Sequence, residues 1–248
     1  ARRFSRAYLS RALGRWAEWS DGFRHVLAFA STIHDRIYLL NDRFDLFDIE
    51  IIGAEALDAS LAKQPGALLI GAHLGSFEVL RAVGRGRAGL KVAMLMYEEN
   101  ARKINAALEA INPAATADII ALGRMDSMIE ARDKLDQGYL VGMLADRGLG
   151  DDATVDHDFL GKMAPFPVGP FRMAALLRRP VFFMAGLYLG GNRYQIHFEP
   201  LADFSATPRA ERDTAMRAAQ QRYAERLSHF CRLAPYNWFN FFDFWQKK

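Results

Sequence analysis

The sequence predicts an α/β fold: a mainly parallel or mixed central sheet flanked by helices, with an N-terminal amphipathic helical segment in front of it. Three observations predict this. From about residue 47 onward, apolar runs of strand length alternate with segments of helical period. One such run, Ala67 to Ala72, passes through a turn containing Gly75 into helix-forming residues, which reads as strand, turn, helix. The first forty or so residues repeat apolar side chains at helical spacing, with no strand pattern among them.

Taken in order, Phe4, Tyr8, Leu9, Ala12, Leu13, Trp16, Trp19 and Phe23 recur with one helical period. Arg2, Arg3, Arg6, Arg11 and Arg15 fall largely off that stripe. A basic face opposite an aromatic face fits a helix lying in a membrane interface. The pattern alone fits somewhat better an ordinary amphipathic helix packed on the core with solvated arginines. A second period runs through Phe23, Val26, Leu27, Ala30, Ile33, Ile37 and Tyr38 and stops near Asn41-Asp42.

Strands are then expected at Phe47 to Ile52, Ala67 to Ala72, Lys91 to Met96, Ala117 to Leu122 and Tyr139 to Ala145. Helices are expected at Glu55 to Lys63, Glu78 to Arg85, Ala101 to Ile111 and Asp126 to Leu135, the third stopped by Asn112-Pro113 and the last closed by Gly138. Asp146 to Pro167 reads as a long loop before a helix around Phe171 to Leu177. Val181 to Leu189 and Tyr194 to Phe198 read as strands joined through Gly190-Gly191-Asn192, and Ala210 to Leu233 as a long helix. No linker composition interrupts the chain. The expected organisation is one domain over 1–248, with a helical segment at 1–42 and an α/β core at 43–248.

Composition bounds the function. A chain of 248 residues, 51% hydrophobic and 25% charged, can bury a sizeable core. Its 32 Lys and Arg against 29 Asp and Glu leave a net charge of +3, which makes no case for nucleic acid. The distribution is less even, since the first fifteen residues hold five arginines and no acid. Cys231 is the only cysteine, so no intrachain disulfide or cysteine-based metal site exists. No apolar run approaches the roughly 18 residues of a membrane span.

The chemistry concentrates in His73-Leu74-Gly75-Ser76-Phe77-Glu78. Residues five apart on one helix point about 140° away from each other. His73 and Glu78 therefore meet only if His73 precedes the helix and Glu78 lies in its first turn, with Gly75 bending the chain between them. The helix dipole favours Glu78 there. An imidazole beside a carboxylate suits a base with its orienting acid, although most such pairs are structural. Position favours function, because ligands in open α/β sheets bind outside the carboxyl ends of strands. Ser76 lacks the G-x-S-x-G surroundings of a nucleophile, and neither a P-loop nor G-x-G-x-x-G is present. Asp156-His157-Asp158 reads as a polar loop, not a metal cluster.

These residues resemble a family. His73 to Glu78 is similar to the H-x4-[D/E] block of glycerophosphate-type acyltransferases, and more narrowly to that of the bacterial lipid A late acyltransferases, where it commonly reads His-Leu-Gly-Asn-Trp-Glu. Leu122-Gly123-Arg124 resembles the arginine-bearing second block, and Gly142-Met143-Leu144-Ala145-Asp146-Arg147 the segment ending in an aspartate. Phe159-Leu160-Gly161, Ala164, Gly169-Pro170 and the tail Ala234 to Phe239 resemble later family stretches. Ser76 and Phe77 depart from the usual Asn and Trp.

The resemblance implies transfer of an acyl group from an acyl thioester, on acyl carrier protein or coenzyme A, to a hydroxyl or amine of a lipid acceptor. It implies His73 as general base with Glu78 holding it, and backbone N–H groups at Gly75 and Ser76 for the oxyanion. Arg124 is expected to bind a phosphate, and Asp146 and Arg147 to line the same cleft. Phe166, Phe171, Phe182 and Phe183 are candidates for an acyl path. No metal or other cofactor is required. A basic cluster at Arg81, Arg85, Arg87 and Lys91 suits an acidic carrier protein. The implied location is peripheral, at the cytoplasmic face of a bacterial inner membrane. Two other readings stay open: a thioesterase or lipid hydrolase using His73 to activate water, and a non-catalytic membrane-associated lipid-binding protein.

Overall fold

The computed structural model describes residues 1–80, 90–97, 99, 102, 119–123, 126–148 and 152–246. The chain opens with α1 (Arg2–Leu13), which stops at Gly14 in the left-handed conformation, φ 65°. A new helix, α2 (Trp19–Leu40), starts after the break, where the backbone N–H of Glu18 donates to Asp21 at 2.8 Å. The apolar period expected over Phe4 to Phe23 is therefore split between two helices. A glycine with positive φ halts the first, as C-terminal caps commonly do. Tyr8, Leu9 and Ala12 are buried, whereas Trp16, Trp19 and Phe23 are exposed.

The strands are β1 (Asp48–Ile52), β2 (Ala67–Gly71), β3 (Val92–Tyr97), β4 (Ile119–Leu122), β5 (Leu140–Leu144), β6 (Thr154–Phe159), β7 (Lys162–Pro167), β8 (Pro180–Gly190) and β9 (Arg193–Asp203). The further helices are α3 (Ala54–Leu61), α4 (Ser127–Asp136), α5 (Gly169–Leu177) and α6 (Arg212–Leu233). Among the described residues seven strands form one mixed sheet, ordered β1-β9-β8-β2-β5-β3-β4. Every neighbouring pair is parallel except β8 with β9. This is the α/β architecture that the alternation predicts. The helices expected at Glu78 to Arg85 and Ala101 to Ile111, and the start of the strand at Ala117, fall wholly or mostly outside the described residues.

β2 is the middle strand and is buried along its whole length. Its alternate side chains feed two cores. Leu68 and Ile70 join Tyr8, Phe171, Tyr223 and Trp238 on one face. Ala67 and Leu69 join Leu39, Leu57, Phe182 and Ile196 on the other. This is the period-2 geometry of a strand covered on both sides.

One expectation is overturned. Asp146 to Pro167 is not a plain loop, because β6 and β7 pair within it as an antiparallel hairpin. Leu160 and Gly161 turn it, with φ of 53° and 77°, the double positive φ that such tight turns require. The polar run Asp156-His157-Asp158 hides the strand; Asp158 faces solvent, while Asp156 and His157 are half-buried. Phe159 and Phe166 anchor the hairpin in the core with no exposure.

α1 and α2 are joined to the C-terminal segment through His25, which is fully buried. His25 Nε2 lies 2.9 Å from the Trp238 carbonyl, and Nδ1 lies 2.7 Å from Ser5 Oγ. A carbonyl only accepts, so Nε2 carries the proton and Nδ1 accepts from the serine. Burial pushes His25 down to about 4, against a hydrogen bond to Trp238 that raises it. A depressed histidine leaves the unfolded chain binding more protons. Its stabilisation is complete above about pH 6.5 and is lost as pH falls toward about 4. The loss is about 1.4 kcal/mol per pH unit across that window, roughly 3 kcal/mol in all. Urea unfolding at about pH 7 and about pH 5 is expected to show this decline in the parent and a smaller one in His25→Gln. Equal declines would exclude His25 as the source.

Candidate active site

The parallel register of β2 and β5 builds the site. Gly71 pairs with Leu144, and two residues beyond each lie His73 and Asp146. Both side chains thus leave the sheet at its carboxyl edge, on adjacent strands, side by side. His73 Nδ1 is 2.8 Å from Asp146 Oδ1. The other oxygen of Asp146 accepts from Trp238 Nε1 at 3.0 Å, and Arg147 Nε stands 3.7 Å from it.

Asp146 has no exposure. Burial alone would raise its carboxyl. The charges of His73 and Arg147, with hydrogen bonds from His73 and Trp238, outweigh burial and hold it well below the ordinary carboxylate range. The ionised carboxylate only accepts, so His73 Nδ1 donates to it. In the neutral ring this leaves Nε2 as an acceptor. The His73 side chain keeps 40% of its exposure.

The sequence paired His73 with Glu78, but the structure gives Glu78 other partners. Its Oε1 forms an ion pair with Arg36 Nε of α2 at 2.7 Å, and its Oε2 accepts from Ser76 Oγ at 3.1 Å. The reason is directional. The turn is pinned on both flanks, and Asp146 already occupies Nδ1.

The flanking bonds also decide what Gly75 and Ser76 can do. Gly75 N–H donates to the Asn237 carbonyl at 2.8 Å, and Ser76 N–H to the Gly186 carbonyl at 2.8 Å. Both groups expected to stabilise an oxyanion are therefore engaged by backbone. Ser76 itself is 2% exposed. Asp146, with no exposure and both oxygens bonded, lines no open cleft. Arg147 turns to the C-terminal segment, donating to the Phe239 carbonyl at 2.6 Å and resting 4.9 Å over the Phe242 ring. Arg124, and Arg81, Arg85 and Arg87 of the basic cluster, lie outside the described residues. Lys91 sits over the Tyr139 ring at 5.3 Å. Phe166, Phe171, Phe182 and Phe183 are core residues with 0 to 3% exposure, not the wall of an open path. Among the described residues no group of three or more His, Cys, Asp or Glu could hold a metal ion.

The sequence did not single out the role of the tail. Leu74 forms an antiparallel bridge to Trp238, and Phe239 N–H donates to the His73 carbonyl at 2.8 Å. Asn237 locks the tail to β8, accepting from Tyr188 N–H at 2.7 Å and donating to its carbonyl at 3.0 Å. The only signal in the chain was the aromatic run after α6, read there as a family ending.

Close approach of backbones makes two glycines necessary. Gly75 has φ 68°, and a Cβ on it would overlap the Gly186 carbonyl; a Cβ on Gly186 would overlap the Ser76 carbonyl. Gly186→Ala is expected to destabilise the fold by about 3 kcal/mol, at the upper end of ordinary substitutions. The check is urea unfolding beside Gly169→Ala, where a Cβ would meet nothing within 4 Å and φ is not positive. A loss at Gly186 no larger than at Gly169 would contradict the close approach.

A search of curated proteins finds no match to the chain. The family model described as bacterial lipid A biosynthesis acyltransferase matches residues 29–247, which takes in the pinned turn, the buried aspartate and the tail that holds them. With most of its length matched, His73, Asp146 and Trp238 included, the chain belongs to that acyltransferase family.

Proposed function

We propose that the protein moves an acyl group from an acyl thioester to a hydroxyl or amine of a lipid or lipid precursor, with His73 as general base. The observation that carries this reading is the 2.8 Å bond between His73 and the buried Asp146. It fixes the tautomer and leaves Nε2 of a half-exposed ring ready to accept a proton. In the proposed reaction, Nε2 takes the acceptor's proton while the acceptor oxygen or nitrogen attacks the thioester carbonyl. The tetrahedral oxyanion then collapses, the C–S bond breaks, and His73 returns the proton to the departing thiolate. Asp146 stays ionised throughout and steadies the imidazolium. Glu78, tied to Arg36 and Ser76, secures the turn that carries His73. The donor is carried on acyl carrier protein or coenzyme A. This reading puts the work peripherally at the cytoplasmic face of a bacterial inner membrane, where such donors meet lipid acceptors.

The test is thiol release from an acyl thioester by purified, folded protein, with and without a lipid acceptor. His73→Ala is expected to lower acceptor-dependent turnover by about 10² to 10⁴, the range for a positioned base. Asp146→Asn is expected to cost a similar factor, and His73→Ala with Asp146→Asn little more than His73→Ala alone, since the pair acts as a unit. The loss from Glu78→Gln should instead multiply with that of His73→Ala. Release that ignores the acceptor would establish a hydrolase. Near-normal turnover by His73→Ala would remove the mechanism.

A further inference from the structure

α2 carries polar side chains on much of its inner face. Ala28, Leu39 and Leu40 are buried there, but so are Asp21, His25 and Thr32, and Asp35 and Arg36 are half-buried. Each of these polar groups is answered. Asp21 accepts from Arg15 at 2.7 Å and from Tyr236 at 2.8 Å. His25 bonds Ser5 and Trp238. Thr32 donates to the Phe29 carbonyl at 2.9 Å, Asp35 accepts from Tyr194 at 2.6 Å, and Arg36 pairs with Glu78. The outer side is largely apolar, with Ser20, Arg24 and His34 among its exposed residues. Trp19, Phe23, Val26, Leu27, Ile33 and Ile37 are 41 to 67% exposed, and their spacing follows one stripe along the helix. Monomeric soluble proteins rarely leave a continuous apolar stripe of this kind in water.

Basic side chains outnumber acidic ones at the N-terminal end of the stripe, where Glu18 is also exposed. Trp16, 73% exposed, precedes α2, and the Arg6 guanidinium lies 5.9 Å from its ring. Arg2, Arg3, Arg6, Arg11, Ser10 and Trp16 line a recess of about 810 Å³. No carboxylate among the described residues pairs with any of those four arginines. Among the described residues no helix is long and apolar enough to cross a membrane.

We infer that the outer face of α2 docks on the surface of a bilayer containing anionic phospholipid, with Trp16 and Trp19 at headgroup depth and the α1 arginines on lipid phosphates. The chemistry matches on both counts. Apolar side chains on a helix lying in the interface gain burial among acyl chains, and arginines beside them gain attraction to a negative surface. Tryptophan favours that boundary because its ring is apolar and its N–H is not. The arrangement differs from a basic, aromatic first helix lying in the interface, because Tyr8, Leu9 and Ala12 of α1 face the core. Docking also has a consequence for the site. α2 holds Glu78 from its other side, so the turn bearing His73 is set about one helix diameter, on the order of 10 Å, from the lipid. The inference extends the reading of a lipid acceptor, and its test needs no turnover, so the two fail separately.

The experiment is vesicle flotation with phosphatidylcholine alone and with added phosphatidylglycerol, at low and high salt. The parent protein is expected to float with the anionic vesicles, and salt is expected to weaken this. Leu27→Glu with Ile33→Glu should reduce the bound fraction at least about tenfold, with circular dichroism unchanged because both positions are exposed. Arg2, Arg3 and Arg6 changed together to Gln should abolish the preference for phosphatidylglycerol. Absence of flotation by the folded parent would overturn the inference, as would equal flotation of the double glutamate variant. A parent that sediments as a dimer, is made monomeric by the same substitutions and binds no vesicle would assign the face to a second copy instead.

Discussion

A carboxylate with no exposed surface persists as an anion only where charge and hydrogen bonds replace the water it has lost. Asp146 is that group here, and much of the architecture is the means of answering it. His73 comes from the turn after β2, Arg147 from the next residue in the chain, and Trp238 from the far C-terminus. Trp238 must itself be held. It packs edge-on against Tyr8 at 4.9 Å, Phe159 at 5.0 Å and Phe244 at 4.9 Å, and its carbonyl takes the proton of His25. Helices α1 and α2, the β6–β7 hairpin and the tail thus converge on one carboxylate.

The same convergence explains the rigidity of the turn. His73, Gly75 and Ser76 each form a backbone hydrogen bond to the tail or to β8. A loop residue with a chemical task normally trades order for access. Here the backbone is pinned while the imidazole remains half-exposed, so the ring can meet a ligand with little ordering cost.

Much of this was legible in the chain, and the rest was hidden for physical reasons. The alternation of strand and helix is a local signal, and it located β1, β2, β5 and α4 to within a residue or two. The β6–β7 hairpin carries acids where a strand usually carries β-branched residues, so its propensity misleads, and pairing with packing on α6 overrides it. His73 was visible because a strand ending in a glycine turn is a local pattern. Its partner was not. Glu78 was favoured because it was near in sequence, whereas Asp146 reaches His73 only once β5 is known to lie beside β2, and strand order is a non-local property. Trp238 is farther still. For α2 the apolar period was plain, but a period does not say which face meets water. The usual assumption, apolar inward, holds at the C-terminal end of the helix, where Leu39 and Leu40 are buried, but earlier in it Asp21 and His25 take inner positions because they found partners on other segments.

The pairing of Gly71 with Leu144 has a last implication, for how such a site could diverge. The span between imidazole and carboxylate is set by two neighbouring strands of a hydrogen-bonded ladder, about 4.8 Å apart, not by the surrounding side chains. A one-residue insertion at the end of either strand would turn its side chain to the opposite face and separate the couple at once. Substitutions along the walls leave the ladder untouched. Lineages can therefore exchange the molecules admitted to the site while inheriting the His–Asp spacing intact, and the tolerated changes are replacements, not shifts of frame.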